Sequence, residues 1–177
     1  MIKTKKELLK YIAEDKKTYQ PSGGWISSFL WCFSKSFTRL CFLTLKYNRL
    51  YIFYKNKKIK SLFYKYLYFK YSRSIGLEIL GVDFGKAPLF LHQNIIIAPD
   101  TIIGNSCIFH GFNVIGKKNK QEECPLVGDN VEFCVGSIVL GKICIGSNSR
   151  IGACTFVNKN VLENETVVGI PAKPITR

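Results

Sequence analysis

Residues 97–116 read IAPDTIIGNSCIFHGFNVIG, and residues 127–157 read VGDNVEFCVGSIVLGKICIGSNSRIGACTFV. An apolar residue recurs at every sixth position, namely at Ile97, Ile103, Phe109, Ile115, Val127, Phe133, Val139, Ile145, Ile151 and Val157. The fourth position after each is often small or branched, as at Thr101, Cys107, Val131, Ser137, Ser149 and Thr155. A period of six fits neither an amphipathic helix nor a simple hairpin. It predicts short strands joined by tight bends, stacked as coils around a shared apolar axis.

The repeat fails in one place, where residues 117–124 read KKNKQEEC before Pro125. Ile115 and Val127 are twelve positions apart, so the phase of the repeat survives the interruption. We predict a loop over residues 117–125 that projects from the stack. Because the other bends are tight, the pattern favours a functional loop over a tolerated surface insertion.

The 177 residues divide into two parts of different chemistry near Gly76. Residues 1–75 contain 17 Lys and Arg against 3 Asp and Glu, whereas residues 76–177 contain 9 of each, so the whole net charge of +14 comes from the first part. That part also carries 18 of the 24 aromatic residues. We predict a basic, aromatic, helical domain over residues 1–75 and a repeat domain over residues 76–177.

Two helices can be predicted in the first part. Thr4 and Glu7 form a possible capping box, which predicts a helix from about Lys5 to Lys17. Apolar residues also recur at helical spacing between lysines, at Ile59, Leu62, Phe63, Tyr66 and Phe69. This predicts a basic amphipathic helix. Residues 25–54 show no clean period and remain unassigned.

Three interpretations of residues 1–75 stay open. The aromatic stripe could pack on the repeat domain or on a sister subunit, with solvated lysines. The segment could instead contact an anionic membrane peripherally, since basic residues flanking Trp and Phe are typical of interfacial helices. Nucleic-acid binding ranks last, because no helix-turn-helix, zinc-finger or RNP pattern supplies readout, and we expect no nucleic-acid partner.

Composition indicates a cytoplasmic protein. Seven cysteines without a C-x-x-C pair argue against a disulfide framework or a zinc ribbon. The charge-free stretch from Thr18 to Ser34 contains Pro21 and two glycines, so we expect no spanning helix, and no signal peptide is visible. A membrane contact by residues 1–75 would place the protein at the inner membrane face.

The segments IIGNSC, VGDNVEF, IGSNSRIGACTFV and TVVGIPAKPI resemble the hexapeptide-repeat acyltransferase superfamily over about residues 76–177. Within it, the run LHQNIIIAPDTIIGNSCIFHGFNVIG followed by CPLVGDN looks most like serine acetyltransferases and the polysaccharide O-acetyltransferases related to them. The resemblance implies a mainly β fold, a left-handed parallel β-helix of hexapeptide repeats with an N-terminal α-helical segment. It also implies homotrimers, acetyl-CoA as co-substrate in a cleft between subunits, and a histidine base without a metal.

His92 and His110 are the only histidines, and they are eighteen residues apart. Three hexads make one coil in such a helix, so we expect them to stack at one corner, about 5 Å apart. By resemblance His92 is the catalytic base and His110 the weaker catalytic candidate. Candidate substrate-binding residues are Asn94, Asn113 and Cys124. Candidate coenzyme-binding residues, again by resemblance, are Gly136, Ser137, Ala153, Lys159 and Lys173.

The acceptor was inferred from departures from the serine acetyltransferase pattern. Those enzymes have an acidic residue before the catalytic histidine and an Arg-His pair before the loop proline, where this chain has Leu91, and Glu123 with Cys124. A carboxylate and a guanidinium would hold the charged ends of serine. Their absence favours a sugar hydroxyl in capsule or surface polysaccharide biosynthesis. The alternatives are serine O-acetylation for cysteine biosynthesis and a non-catalytic β-helix scaffold.

Overall fold

The computed structural model describes residues 2–22, 25–119 and 123–175. Four helices open the chain: α1 (Lys5–Tyr19), α2 (Trp25–Phe33), α3 (Phe37–Phe53) and α4 (Lys58–Ser72). A 3-10 turn (Arg73–Ile75) leads to Gly76, whose left-handed φ of 61° turns the chain into the first strand. The remainder is built from strands of two or three residues.

Fifteen strands in the described ranges form three sheets. The first sheet contains β1 (Leu77–Glu78), β4 (Ile95–Ile97), β7 (Val114–Gly116), β10 (Ile138–Leu140) and β13 (Phe156–Val157). The second contains β2 (Asp83–Phe84), β5 (Ile102–Ile103), β8 (Leu126–Val127) and β11 (Cys144–Ile145). The third contains β3 (Leu89–Phe90), β6 (Ile108–Phe109), β9 (Glu132–Phe133), β12 (Arg150–Ile151), β14 (Thr166–Val168) and β15 (Lys173–Pro174).

Successive coils pair in parallel, so the three sheets form the sides of a prism. The predicted inward positions are confirmed, since the ten recurring apolar residues are each at most 2% exposed. The small or branched residues four positions later are also buried. Burial raises the pKa of the Cys107 thiol to about 11, as expected for a packing residue.

The coils are not all of one length. Ile97 pairs with Ile115 after 18 residues, whereas Phe90 pairs with Phe109 after 19 and Phe109 with Phe133 after 24. The coil of 24 contains the interruption over residues 117–125, which therefore adds one whole hexad. Residues 117–119 and 123–125 belong to no strand. The middle of the predicted loop, residues 120–122, lies outside the described residues.

The predicted capping box is confirmed at α1. The Thr4 hydroxyl accepts from the Glu7 N–H at 3.2 Å, and the Glu7 carboxylate accepts from the Thr4 N–H at 3.1 Å. The predicted basic helix is α4, which packs on α3. Residues 25–54, unassigned from the sequence, form α2 and α3 and the turn between them. In the described ranges, no helix is both long and apolar enough to cross a bilayer.

Side chains from α1, α3 and α4 bond to the backbone of the first coil. Asn48 and Arg49 of α3 bond to groups of Gly81, Val82, Phe84 and Gly85. The Tyr19 hydroxyl of α1 donates to the Pro88 carbonyl and accepts from the Phe90 N–H. The Tyr68 hydroxyl of α4 bonds in the same double way to Leu77 and Ile79. Each sheet thus begins with backbone groups satisfied by helix side chains, where another coil would otherwise be needed.

Arg49 also forms a buried ion pair with Asp15 of α1. Its Nε lies 2.6 Å from Asp15 Oδ2 and its Nη2 lies 3.0 Å from Oδ1. Both side chains are at most 2% exposed. Asp15 Oδ1 also accepts from the Ala87 N–H at 3.2 Å. The pair therefore joins α1, α3 and the first coil at one point.

The C-terminal end of the third sheet is covered differently. β15 turns back and pairs antiparallel with β14, with Val168 opposite Lys173. The two-part division predicted near Gly76 corresponds to the change from helix to strand. The division into a domain over residues 1–75 and a domain over residues 76–177 stays a prediction, and the helices bond directly to the first coil.

Candidate functional site

One corner of the prism, between the third and the first sheet, gathers most of the predicted site residues. Four coils contribute to it, with residues 91–94, 110–113, 134–137 and 152–155. We call this set the histidine corner. It holds His92 and His110, together with Asn94, Asn113, Gly136, Ser137 and Ala153 from the predicted substrate and coenzyme sets. A single column of corners therefore joins residues that span more than 60 positions of the sequence.

The expected stacking of the two histidines is wrong by one residue. The Leu91 N–H donates to the Phe109 carbonyl, so Leu91 lies beside His110, and His92 lies beside Gly111. The reason is an extra residue in the first corner. Five residues separate Phe90 from Ile96, whereas four separate Phe109 from Val114, which is the partner of Ile96. The inward residue before His92 is consequently Phe90, and Leu91 is exposed.

His92 is exposed at the side of an open groove of about 420 Å³ lined by Phe37, Leu91, Gln93, Asn94 and Phe112. Its ring nitrogens bond to no residue in the described part of the chain. Gly111 is what allows His92 this position. It has φ of 109°, and a Cβ on it would lie 2.7 Å from the His92 Cβ. The imidazole is thus open to a ligand in the groove.

His110 is held by a charged neighbour that the sequence analysis missed. Its Nε2 lies 2.8 Å from Glu132 Oε1, and Glu132 Oε2 lies 3.2 Å from Arg150 Nε. A carboxylate only accepts, so this contact puts a proton on His110 Nε2. The pKa of Arg150 is raised by its hydrogen bond with the Cys134 thiol and by the charge of Glu132. All three side chains of this row are partly exposed.

The spacing of Glu132 and Arg150 in the sequence could have indicated that they lie side by side. Glu132 and Arg150 are eighteen residues apart, each directly before an inward residue, which predicts opposite charges in register on adjacent coils. His110 could not be added in the same way, because the coil between His110 and Glu132 contains the interruption and has 24 residues.

Two predicted binding residues are corrected by their burial. The fully buried Asn113 side chain accepts from the Gly111 N–H and donates to the Cys134 carbonyl and the Ser137 hydroxyl. Ser137 is equally buried. Both side chains bond the coils to one another at the corner, so neither can reach a ligand. Asn94 is exposed and has a left-handed φ of 61°.

The remaining candidates divide by position. Gly136, with φ of 70°, and the exposed Ala153 lie in the histidine corner. Lys173 on β15 lies at the end of the third sheet. Lys159 follows β13 and lies at another corner. Cys124 donates to the Pro99 carbonyl at 3.0 Å and so lies between the first and second sheets, away from His92 in the same chain.

Comparisons with known proteins find relatives that are similar to part of this chain. The chain is 36% identical over 106 residues to the serine acetyltransferase of Synechococcus elongatus, covering 58% of this chain and 43% of that protein. It is 40% identical over 100 residues to the Staphylococcus epidermidis serine acetyltransferase, covering 54% and 47%. The chain therefore spans about half the length of these relatives. No family model matches it.

Solved structures agree in fold. A Neisseria gonorrhoeae serine acetyltransferase in complex with serine has a TM-score of 0.73 at 22% identity, with 97% of this chain and 70% of that chain covered. A serine acetyltransferase in complex with CoA has a TM-score of 0.74 at 22% identity, covering 97% and 70%. These likenesses support the predicted resemblance to the hexapeptide-repeat acyltransferase superfamily. The left-handed β-helix with an N-terminal helical segment, expected for a member of this superfamily, is confirmed.

The predicted polysaccharide acceptor is wrong. The relatives that match at 36–40% identity are named serine acetyltransferases, which supports the alternative acceptor. The inference from Leu91 considered only the residue before His92 in the sequence. In the structure Leu91 lies beside His110, whose Nε2 contacts the Glu132 carboxylate, and that carboxylate contacts the Arg150 guanidinium.

Proposed function

We propose that the chain is an acetyl-CoA-dependent O-acetyltransferase and that its acceptor is the hydroxyl of serine. The observation that carries this proposal is the histidine corner, where an imidazole open to a groove lies near an imidazole–carboxylate–guanidinium row. Its relatives, named serine acetyltransferases, support the choice of acceptor. Within one chain, the open imidazole can transfer a proton and the charged row can position the acceptor.

His92 acts as the general base. A neutral imidazole removes the proton of the serine hydroxyl while that oxygen attacks the carbonyl carbon of the acetyl thioester. The tetrahedral intermediate then collapses, the carbon–sulfur bond breaks, and the proton on His92 passes to the departing CoA sulfur. His92 suits this role because its ring nitrogens are free among the described residues, whereas Nε2 of His110 is engaged by Glu132.

The row of His110, Glu132 and Arg150 holds the acceptor. Serine has an ammonium and a carboxylate group, which the Glu132 carboxylate and the Arg150 guanidinium complement. Both groups are partly exposed, so a small zwitterion can exchange the ion pair between them for ion pairs with itself. His110 fixes the Glu132 carboxylate through its 2.8 Å contact.

The coenzyme lies along the same column of corners. Gly136 and Ala153 present little side chain there, so a pantetheine arm can run close to the backbone, and Lys173 lies near the end of the third sheet for the phosphates. Lys159 and Cys124 lie at other corners, so they contribute only if a neighbouring subunit brings them to the site. We therefore keep the proposed homotrimer with acetyl-CoA between subunits. The aligned, exposed Ile102 and Leu126 on the second sheet support it.

A cytoplasmic location also remains a proposal. It is supported by the substrate acetyl-CoA and by the seven free cysteines.

The test is transfer of labelled acetyl from acetyl-CoA to serine, with a nucleotide sugar as the comparison acceptor. We expect His92→Ala to lower kcat by about 10²- to 10⁴-fold with little change in KM for serine, as for loss of a general base. Arg150→Gln should raise KM for serine about tenfold or more and leave KM for acetyl-CoA unchanged. Lys142→Gln, on the exposed pair with Glu123, is the matched control. Transfer to the sugar alone, or no acetyl-CoA binding, would refute the proposal.

A further inference from the structure

The apolar stripe of α4 faces solvent. It consists of Ile59, Leu62, Phe63, Tyr66 and Phe69, and we call it the α4 stripe. Ile59 is 87% exposed, Leu62 70% and Tyr66 66%. The opposite side of α4, with Tyr68 and Ser72, is buried against the rest of the chain. The helix is therefore amphipathic with its apolar side turned away from the protein, and five aligned residues are more than scattered surface apolarity.

Lysines flank the α4 stripe on both sides. At about 100° per residue, the stripe covers an arc of about 120°, with Lys58 and Lys65 beyond one edge and Lys60 beyond the other. Lys70, in the last turn, falls inside this arc at the end of the stripe. These side chains are exposed and form no ion pair within residues 2–22, 25–119 and 123–175. Lys65 lies over the Phe69 ring at 6.0 Å and Lys60 over the Tyr54 ring at 5.2 Å. Lysines beside aromatic side chains along an exposed apolar stripe are typical of a helix lying in a bilayer interface.

The positive charge around the α4 stripe distinguishes between three partners that could cover it: a second copy of the chain, a nucleic acid and a lipid bilayer. The sequence contains no Asp or Glu between Asp15 and Glu78, although that stretch contains 13 Lys and Arg. Two copies packed stripe to stripe would bring unpaired lysines together. A nucleic acid would neutralise the lysines and leave the apolar side chains in water. An anionic bilayer satisfies both groups, because its headgroups attract the lysines and its acyl boundary accepts the stripe.

We propose that the α4 stripe and its flanking lysines are a peripheral binding surface for an anionic lipid bilayer. The helix lies parallel to the membrane with the stripe at the acyl boundary and Lys58, Lys60 and Lys65 at headgroup level. The β-helix is on the other side of α3 and α4 and stays in water. This property is independent of the acyl transfer proposed above, and its test needs no turnover.

The experiment is co-sedimentation of the full chain with phosphatidylcholine vesicles, with and without phosphatidylglycerol, over a range of salt concentrations. We expect retention on the anionic vesicles only, weakened by salt. Lys58→Gln with Lys65→Gln should reduce the partition coefficient by about tenfold or more, given about 1 kcal/mol per basic residue. Leu62→Ser with Phe63→Ser should remove the part of the vesicle binding that persists at high salt. Lys117→Gln with Lys118→Gln, exposed on the β-helix, is the matched control and should bind like the parent.

Three results would overturn the proposal. The first is absence of retention at low salt by a chain whose circular dichroism shows it folded. The second is a drop in molar mass of the Leu62→Ser, Phe63→Ser variant in analytical ultracentrifugation without any vesicle binding by the parent, which would identify a second copy as the occupant. The third is salt-dependent binding of a single-stranded RNA by the parent, lost in the lysine variant, with no vesicle binding.

Discussion

The position of His92 depends on the absence of a side chain at Gly111. A Cβ at Gly111 would approach the His92 Cβ to 2.7 Å, and the φ of 109° is unfavourable for any other residue. We expect Gly111→Ala to cost about 1–3 kcal/mol of unfolding free energy and to lower kcat/KM by about 10- to 100-fold, because the base moves. Urea unfolding and the acetyl-transfer assay measure the two effects.

Gly116→Ala is the control for that substitution. Its Cβ would meet only Leu140 and Ala98 atoms at 3.7 and 3.8 Å, which are ordinary contacts, and its φ is not positive. We expect near-parental stability and activity. Equal behaviour of the two variants would show that Gly111 does not set the position of His92.

Residue by residue, the sequence was most informative where one side chain points inward. The hexad period identified the buried set from Ile97 to Val157 because burial selects apolar residues strictly. It failed at His92, since a corner can take an extra residue without changing the inward pattern on either side. It also left Asn113 as a ligand candidate, because nothing in a single sequence separates a polar residue that bonds inward from one that faces a substrate.

Among the elements, the contact between α1, α3 and the first coil depends most on one residue. Arg49→Met would leave the buried Asp15 carboxylate without its charged partner and the Phe84 and Gly85 carbonyls without their donors. We expect a loss of about 3–5 kcal/mol in urea unfolding, as for other broken buried ion pairs. The exposed pair of Lys17 and Glu14 in α1 gives the control, because Lys17→Met should change stability by about 0.5 kcal/mol or less. If Arg49→Met lowers the unfolding free energy no more than Lys17→Met does, the role given to the buried pair is contradicted.

The helices show the limit of element prediction. The capping box located α1 because its signal is local. The period of α4 was read correctly, but a stripe by itself does not say which side packs, and the tyrosine side of α4 is the buried one. α3 shows no clean helical period because it buries polar and apolar residues together, including Thr44, Asn48 and Arg49.

For the whole molecule, the proposed trimer makes the second sheet a contact surface. Ile102 and Leu126 point outward in register and are each 48% exposed in the single chain. Leu126→Lys should lower the molar mass measured by light scattering from that of a trimer to that of a monomer, because a buried unpaired charge costs several kcal/mol. Leu9→Lys, at an exposed position of α1, should leave the mass unchanged. A Leu126→Lys chain of parental mass would exclude this surface.

The helix side chains at the first coil have a further consequence. A stack of parallel coils resembles a one-dimensional crystal, in which every finished layer is a template for the next. The backbone groups with which a further coil would pair at the first layer are bonded instead by the side chains of Tyr19, Asn48, Arg49 and Tyr68. The antiparallel β15 does the same for one side of the last layer. End-to-end stacking of two molecules is therefore disfavoured at the first coil and on the side of the stack that β15 covers.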